Sequence, residues 1–292
     1  MPASAEVAEI RRDLLEWYER NRRDFPWRRT RDPYAVLVSE VMLQQTQASR
    51  VVDRFVRFLA RFPSAEALAA ASSADVLAEW SGLGYNRRAL ALQRAAAVVS
   101  RDGWPRDVVG LERLPGVGPY TARAVASLAF DVPVGVVDTN VRRWLLRRFG
   151  EADAPAALQA RADVLAAPGA GSSIAAWTHA SMEFGAAVCR SRNRACDTCP
   201  IAEGCPSRGA EAPVPVPRQP PLRGSDRAVR GAMLRQLTGA AGHALSEVAA
   251  RQRVGADLDD QRWERILAGL ERDGLLHRHR GSVALGAATI GR

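Results

Sequence analysis

Four cysteines near residue 200 are the first residues in this chain whose type and spacing indicate chemistry. They follow the pattern Cys189-x6-Cys196-x2-Cys199-x5-Cys205. Disulfides are unusual in an intracellular protein of this size, and structural zinc sites more often join two closely spaced pairs of ligands. Four soft thiolates in one compact loop suit an iron–sulfur cluster, so the spacing favours a [4Fe-4S] cluster over zinc.

A basic stretch lies inside this cysteine loop. Arg190, Arg192 and Arg194 occupy alternate positions between the first two cysteines. Four thiolates would leave the metal no open position for a substrate, so we expect the cluster to staple the loop rather than to react. A rigid loop with three guanidinium groups would bind DNA phosphate, whereas the simpler interpretation is a solvated charged surface. The basic character of the whole chain favours the phosphate interpretation.

A glycine-rich turn, LPGVG at 114–118, separates two segments with helical patterns. Gly116 and Gly118 permit backbone conformations closed to other residues and leave amide groups exposed beside the positive end of the second helix. We expect these amides to bind a DNA phosphate without reading the base sequence. An ordinary α-hairpin is the alternative, but the proline, the two glycines and the following helix together match a helix-hairpin-helix motif.

Helical periodicity dominates the first 207 residues and must position these groups. The segment 39–62, for example, carries apolar residues at helical spacing that give one stripe. Proline density rises at 208–225 and the periodicity stops, which indicates a linker. Residues 226–292 then suggest three helices and two short strands, a pattern similar to a winged-helix module. The predicted fold class is therefore all-α, with this small module appended.

Composition and charge limit the classes of function. The chain has 292 residues, a net charge of +9 and 41 basic residues, all of which are arginine. A positive surface favours an anionic partner such as nucleic acid. No apolar run approaches the roughly 20 residues needed to span a bilayer, and no signal peptide is evident, so we expect no membrane contact and a cytoplasmic, nucleoid-associated location.

Several of these motifs occur together in one known family. LPGVGPYTA, VVDTNVRR and the cysteine pattern resemble the helix-hairpin-helix DNA glycosylases of the endonuclease III superfamily. FPWRRTRDPYAVLVSEVMLQQTQ and GLGYNRRA resemble its MutY branch, the adenine DNA glycosylases. The resemblance covers about residues 10–207. It implies a two-lobed fold, with a cluster domain formed by 1–22 and 136–207 and a six-helix domain at 23–135.

The resemblance implies excision of adenine mispaired with 8-oxoguanine or guanine in duplex DNA. Breaking an N-glycosidic bond needs a proton for the base and negative charge near the sugar. By the resemblance Glu40 protonates adenine N7, Asp138 stabilises or transiently bonds the sugar C1′, and Asn140 orients water or the carboxylates. We expect enclosure to raise the pKa of Glu40, and a helix N-cap position to keep Asp138 ionised.

The absence of lysine bears on a second activity. Lyase-competent relatives open the abasic site through a lysine Schiff base, and Tyr120 occupies the matching position here. The enzyme is therefore expected to be monofunctional.

Reaching the adenine requires flipping it out of the duplex and filling the gap. By the resemblance Gln45 and Tyr85 wedge into the base stack, while Trp27 and Arg28 belong to the wall near the flipped base. His179 stands where relatives often carry Glu or Gln near the adenine pocket, and we expect it to hydrogen-bond the base. Each also has a simpler interpretation: a solvated helix face for Gln45, a surface ring for Tyr85, a core tryptophan, and a half-buried histidine.

Two departures and two alternatives stay open. Asn86 stands where the family commonly has a second aromatic residue, and residues 226–292 are too short for the Nudix-like domain of longer members. A thymine-mismatch glycosylase also carries tyrosine at the lysine position, although Glu40 argues for adenine. A non-catalytic iron–sulfur DNA-binding regulator is the other alternative. The expected partner is double-stranded DNA containing A:8-oxoguanine or A:G, bound by a monomer.

Overall fold

The computed structural model describes residues 4–150, 154–167, 173–209, 224–255 and 258–288. Its α-helices up to the hairpin are α1 (Ser4–Asn21), α2 (Pro33–Leu43), α3 (Ala48–Arg61), α4 (Ala65–Ala70), α5 (Ser73–Glu79), α6 (Arg87–Asp102), α7 (Val108–Glu112) and α8 (Pro119–Phe130). Those that follow are α9 (Thr139–Phe149), α10 (Pro155–Ala166), α11 (Ile174–Ala187), α12 (Asp226–Thr238), α13 (Glu247–Val254) and α14 (Asp260–Arg272). Three strands, β1 (Ala244–Ser246), β2 (Leu276–His279) and β3 (Ser282–Leu285), complete the elements. The prediction of a mainly helical protein is confirmed.

The described residues divide into two compact units, and the first combines 1–40 with 104–217. Its core lies between α1, α9, α10 and α11, where Leu14, Trp144, Leu145 and Phe184 are almost completely buried. Phe184 lies edge-on to Trp144, with ring centroids 5.9 Å apart. These large side chains fix α9 against α11. They thereby fix the position of Asp138, which is the N-cap residue of α9.

The predicted hairpin lies in this first unit. Leu111 and Leu114 are buried beneath the turn between α7 and α8, and Pro119 opens α8 at its first turn. Gly116 has φ +77, which favours glycine, as expected. Gly118 has φ −94 and ψ 178, an extended conformation that any residue adopts. The expectation that Gly118 is needed for its backbone conformation is therefore wrong.

The second unit combines 41–103 with 218–292. The predicted apolar stripe at 39–62 is divided between α2 and α3, because the chain turns at Gln45, whose φ is +56. Within α3 the stripe holds, since Val51, Phe55 and Phe58 are buried.

The C-terminal segment of this unit has the connectivity α12–β1–α13–α14–β2–β3, with strand order β1-β3-β2 and antiparallel pairing. This confirms the winged-helix-like prediction and adds β1, which is too short for a period-2 pattern to show. Ala287 N donates to Ser73 Oγ over 3.0 Å, so the module packs on α5.

Two sequence predictions about segmentation are not decided here. Residues 210–223, most of the predicted linker, lie outside the described residues. The assignment of 1–22 with 136–207 to a cluster domain and of 23–135 to a six-helix domain stays a prediction.

Gly185 tests the close packing of α11 on α9. A Cβ atom at Gly185 would lie 2.6 Å from the backbone oxygen of Asn140 and 2.8 Å from its carbonyl carbon. Because backbone cannot move as a side chain does, Gly185→Ala should lower the free energy of unfolding by about 1–3 kcal/mol, measured by chemical denaturation.

Gly231, in the interior of α12, provides the matched control. A Cβ there meets only the flexible end of Arg235, at 3.5 Å. Gly231→Ala should instead stabilise the protein by about 0.5–1 kcal/mol through helix propensity. Equal effects of the two substitutions would contradict the packing argument.

Candidate active site

Asp138 forms the N-cap of α9. Its Oδ1 accepts hydrogen bonds from the backbone amides of Asn140 (2.8 Å) and Val141 (2.6 Å), and its Oδ2 accepts one from Asn140 Nδ2 (2.8 Å). The cap explains why the helix begins here, since it satisfies amides that have no partner within the helix. The carboxylate is thereby held in one orientation by the backbone itself.

Glu40 lies in the most apolar helix of this unit. Every residue of α2 from Tyr34 to Met42 is buried, and Glu40 is only 5% exposed. Tyr120, in the first turn of α8, donates its hydroxyl proton to Glu40 Oε2 over 2.9 Å. The structure therefore brings together two residues that are 80 positions apart in the sequence.

These three side chains influence one another electrostatically. Burial raises the pKa of Glu40 to about 7, the hydrogen bond from Tyr120 opposes this rise, and the charge of Asp138 adds to it. Burial also raises the pKa of Tyr120 well above its ordinary value, and the charges of Glu40 and Asp138 contribute in the same direction. Glu40 is thus a carboxylic acid that holds its proton near neutral pH, with the Asp138 charge close enough to matter.

The pKa of Asp138 differs from what its cap position suggests. Burial raises it above the ordinary value, against the hydrogen bonds from Val141 and Asn140, which lower it. The expectation that the cap keeps Asp138 ionised stays a prediction, since the carboxyl is withdrawn from water while the capping hydrogen bonds favour its charged form. The cap and Arg143, whose charge also lowers the pKa, limit the rise.

A chain of hydrogen bonds leads from Asp138 toward the cysteine loop. Asn140 Oδ1 accepts from Arg143 Nη2 over 2.8 Å, and Arg143 Nε donates to the carbonyl of Cys189 over 2.8 Å. Arg143 Nη2 also binds the carbonyl of Gly185 over 2.6 Å. Sequence analysis missed Arg143, although its spacing of three residues from Asn140 within a helix is a signal that they are neighbours.

A buried ion-pair cluster accompanies the predicted base-pocket residues. Glu183 is 1% exposed and accepts from Arg23 Nε (2.5 Å) and Arg28 Nη2 (2.6 Å). Burial alone would raise the pKa of Glu183, but the bonds from both arginines hold it below its ordinary value. Trp27 is buried and stacks on Phe25 at 4.8 Å between ring centroids. Sequence analysis missed Arg23 and Glu183, which are 160 residues apart.

His179 lies one helical turn before Glu183 on α11. Burial and, to a smaller degree, the positive charge of Arg28 lower its pKa to about 3. The imidazole is therefore neutral at physiological pH, with one nitrogen that donates and one that accepts.

The predicted wedge residues lie in the second unit. Gln45 follows the end of α2 and Tyr85 precedes α6, and both have left-handed backbones, with φ +56 and φ +47. Tyr85 is 43% exposed, unusual for so large an apolar ring. Arg88 places its guanidinium 5.5 Å from the centre of the Tyr85 ring.

The four cysteines line one pocket. Their neighbours in its wall include the apolar side chains of Trp144, Phe184, Val188 and Ile201. Burial raises the pKa of Cys199 to about 11, a backbone hydrogen bond opposes this rise, and the other three thiols add to it, so all four interact electrostatically. Four thiols in the wall of one apolar pocket are a donor type that suits a soft metal group, although no group of three or more Cys, His, Asp or Glu side chains among the described residues is arranged so that it could hold a metal ion.

Arginine side chains lie around this pocket, and they include one of the three that the basic loop was predicted to present. Arg147 Nη1 lies 3.6 Å from Cys189 Sγ and donates to the carbonyl of Arg190 over 2.6 Å. Arg190 and Arg192 are exposed, whereas Arg194 is half-buried and donates to the carbonyl of Ser207 over 3.4 Å. Arg194 therefore links two parts of the cysteine segment through this hydrogen bond, whereas Arg190 and Arg192 are exposed to solvent.

Comparison with known proteins identifies the family. A family model described as HhH-GPD superfamily base excision DNA repair protein matches residues 38–167. The adenine DNA glycosylase of Mycobacterium tuberculosis is 45% identical over 238 residues, which cover 78% of this chain and 78% of that protein. The chain belongs to the adenine DNA glycosylases. The human adenine DNA glycosylase is 40% identical over 222 residues, covering 70% of this chain and 40% of the human protein.

Solved structures agree on the fold. A thermostable thymine-DNA glycosylase matches with a TM-score of 0.65 and 30% identity, covering 70% of this chain and 97% of that one. Endonuclease III in a trapped covalent complex with DNA matches with a TM-score of 0.59 and 22% identity. The predicted helix-hairpin-helix glycosylase fold is thereby confirmed. Within the described residues, no helix is long and apolar enough to cross a membrane.

Burial of Glu40 predicts a pH-dependent stability. Its pKa is about 7 in the fold against an ordinary value of 4.5, so the native state binds the proton more tightly than the unfolded chain. The contribution is fully present below pH 4.5 and is lost as the pH rises through 7. The free energy of unfolding of Glu40→Gln should therefore rise by about 2–3 kcal/mol relative to that of the unmodified protein when the pH is raised from 5 to 8. Denaturant unfolding at the two pH values measures this difference.

Glu9 provides the control, because it is an exposed carboxyl on α1. Glu9→Gln should shift the free energy of unfolding by the same amount at both pH values. A pH-independent effect of Glu40→Gln would mean that Glu40 is ionised in the fold.

Proposed function

We propose that this protein is a monofunctional DNA glycosylase that excises adenine mispaired with 8-oxoguanine or guanine in duplex DNA. The observation that carries the proposal is the pairing of Glu40, whose pKa is about 7, with the capped carboxyl of Asp138. One group supplies a proton at neutral pH and the other supplies negative charge when ionised. Kinship to adenine DNA glycosylases over 78% of the chain supports the choice of base.

The proposed reaction begins with proton transfer. Glu40 gives its proton to adenine N7, the C1′–N9 bond breaks, and its electron pair leaves with the neutral base. Asp138 then stabilises, or transiently bonds, the cationic C1′. A water attacks C1′ and returns a proton to Glu40, which restores the acid. Asn140 holds Asp138 in position through its 2.8 Å hydrogen bond.

The reaction stops at the abasic site. An imine with C1′ requires an amine, and the chain contains no lysine. At the position that matches the lyase lysine, Tyr120 is hydrogen-bonded to Glu40 and has a pKa raised well above its ordinary value. Such a phenol orients the acid and provides no nucleophile.

Adenine recognition is proposed to fall to Trp27, Arg28 and His179. Neutral His179 offers one donor and one acceptor, as the edge of an adenine does, and Arg28 is held in place by Glu183. A purine needs both a flat wall and such complementary groups.

DNA binding is proposed to combine positioning and insertion. Backbone amides at Gly116 and Gly118, with Arg190 and Arg192, bind phosphates. Gln45 and Tyr85 fill the space that the flipped adenine leaves. We propose that the protein acts as a monomer on chromosomal DNA in the cytoplasm.

The four cysteines are proposed to hold a [4Fe-4S] cluster. When bound, the cluster supplies cross-linking of a loop that has little core of its own, and no reaction step passes through it. The apolar wall and the nearby Arg147 suit an anionic group, because the guanidinium compensates charge that the wall cannot solvate.

The duplex panel tests the reaction. Single-turnover excision should be fast on A:8-oxoguanine and A:G duplexes and absent on T:G, and it should slow as the pH rises above 7, where Glu40 loses its proton. Asp138→Asn and Glu40→Gln should each lower the rate by about a hundredfold or more while duplex binding is retained. Glu9→Gln serves as the inert control.

Two outcomes would overturn the proposal. Cleavage of T:G alone would favour thymine excision, which the likeness to a thymine-DNA glycosylase structure keeps as the second candidate. An undiminished rate in Asp138→Asn would favour a DNA-binding protein without catalysis.

Iron content tests the cluster. The purified protein should be brown and contain about four iron atoms per chain. Cys199→Ser should lower the iron content and the melting temperature, because Cys199 lies in the pocket with the other three thiols. Zinc bound at one atom per chain, with no visible absorption, would contradict the cluster.

A further inference from the structure

Arg88 has an unusual set of partners in the second unit. Its Nη1 donates to the carbonyls of Val41 and Gln44, the latter over 2.8 Å. Its Nη2 donates to the carbonyls of Leu83 (3.4 Å) and Gly84 (3.1 Å). One guanidinium therefore binds two separate segments, the end of α2 with the turn after it and the loop before α6, each through two backbone oxygens.

The two loops are those that carry the proposed wedge. Gln44 immediately precedes Gln45, and Gly84 immediately precedes Tyr85. The carbonyl of Val41 belongs to the last turn of α2, where carbonyls have no partner within the helix. A cation at that end also complements the helix dipole. Arg88 thus both terminates α2 and fixes the turn that follows it.

Both wedge residues adopt a backbone conformation that needs support. A left-handed φ is uncommon for residues other than glycine, and the surrounding structure must hold it in place. Gln45 and Tyr85 have φ +56 and +47, and neither of them is glycine, the residue that adopts this conformation without steric cost. The hydrogen bonds of Arg88 lie directly beside both.

Other groups reinforce each turn locally: Thr46 Oγ1 donates to the carbonyl of Gln44 over 3.3 Å in the first, and several side chains bind carbonyls of the second. Trp80 Nε1 donates to the carbonyl of Gly84 over 3.1 Å, Arg50 Nη2 donates to that of Gly82 over 2.9 Å, and Arg54 binds that of Ser81. Arg88 joins the Gln45 side to the Tyr85 side through carbonyls of Gln44, Leu83 and Gly84. Burial lowers the pKa of Arg88 to about 10, because its guanidinium is withdrawn from water beside these carbonyls.

We propose that Arg88 is a positioning residue that locks Gln45 and Tyr85 into one rigid wedge for insertion into the duplex. The proposal rests on the proposed role of those two side chains. A preformed wedge avoids the entropic cost of ordering two loops during base flipping. Loss of the Arg88 hydrogen bonds therefore reduces flipping without altering proton transfer from Glu40.

The test measures flipping and excision in parallel. Flipping is followed by the fluorescence of 2-aminopurine placed at the target position opposite 8-oxoguanine, and excision by single-turnover release of adenine from the A:8-oxoguanine duplex. Arg88→Ala should slow both by about tenfold to a hundredfold. Arg94→Ala is the matched control, because it removes the same charge from an exposed position on the same helix.

A double-mutant comparison separates positioning from general stability. In a Gln45→Ala/Tyr85→Ala background there is no wedge to position, so adding Arg88→Ala should change flipping by less than about twofold. The proposal would be overturned if Arg88→Ala slowed flipping as much in the Gln45→Ala/Tyr85→Ala background as it does alone. It would also be overturned if Arg88→Ala alone left flipping unchanged. If the wedge-less protein itself flips the base normally, the proposed wedge role fails first and the Arg88 proposal falls with it.

Arg88→Lys keeps the experiment decisive if Arg88→Ala unfolds. Lysine retains the charge but donates from a single nitrogen, which cannot span the two loops. A folded Arg88→Lys protein should still lose flipping by about tenfold. Normal flipping by this variant would show that the forked geometry of arginine is not required and would overturn the proposal.

Discussion

The capping of α9 by Asp138 is the interaction on which the candidate site depends. A helix N-terminus needs an acceptor for its free amides, and a glycosidic cleavage needs an anion at a fixed place. In the proposed reaction the Asp138 carboxylate meets both needs, because the amides of Asn140 and Val141 that it caps also hold it still. Burial opposes its ionisation, so the site needs the capping bonds to keep an anion available beside the proton held by Glu40.

Arginine serves inside this protein as well as on its surface. Arg143, Arg147 and Arg88 each bind several backbone carbonyls at points where a helix or loop ends. A guanidinium can join carbonyls from two segments because its donors point in fixed and different directions. Part of the net charge of +9 is therefore structural. Counting arginines alone overstates the positive surface that is left to meet DNA.

Sequence motifs pointed to the proposed catalytic side chains, but not to the residues that support them. Asp138 was predictable, since an N-cap followed by an apolar helix is a local pattern, and Glu40 stood within a motif. Arg23 and Glu183 were not, because their ion pair joins positions 160 residues apart and neither carries a local signal. Gly118 shows the reverse error: its type suggested an unusual backbone, but the turn places that requirement on Gly116 alone.

The wedge loops show why such support escapes a local analysis. The apolar stripe at 39–62 has helical spacing throughout, so periodicity predicts that the helix continues through Gln45. Arg88, more than 40 residues later, donates to one carbonyl in the last turn of α2 and to one in the turn that follows. The helix break, the left-handed Gln45 and the buried cation therefore lie together, and contact between positions so far apart has no signature in either segment. A sequence pattern therefore suggests which residues contact the substrate, while long-range hydrogen bonds, which have no local pattern, hold those residues in position.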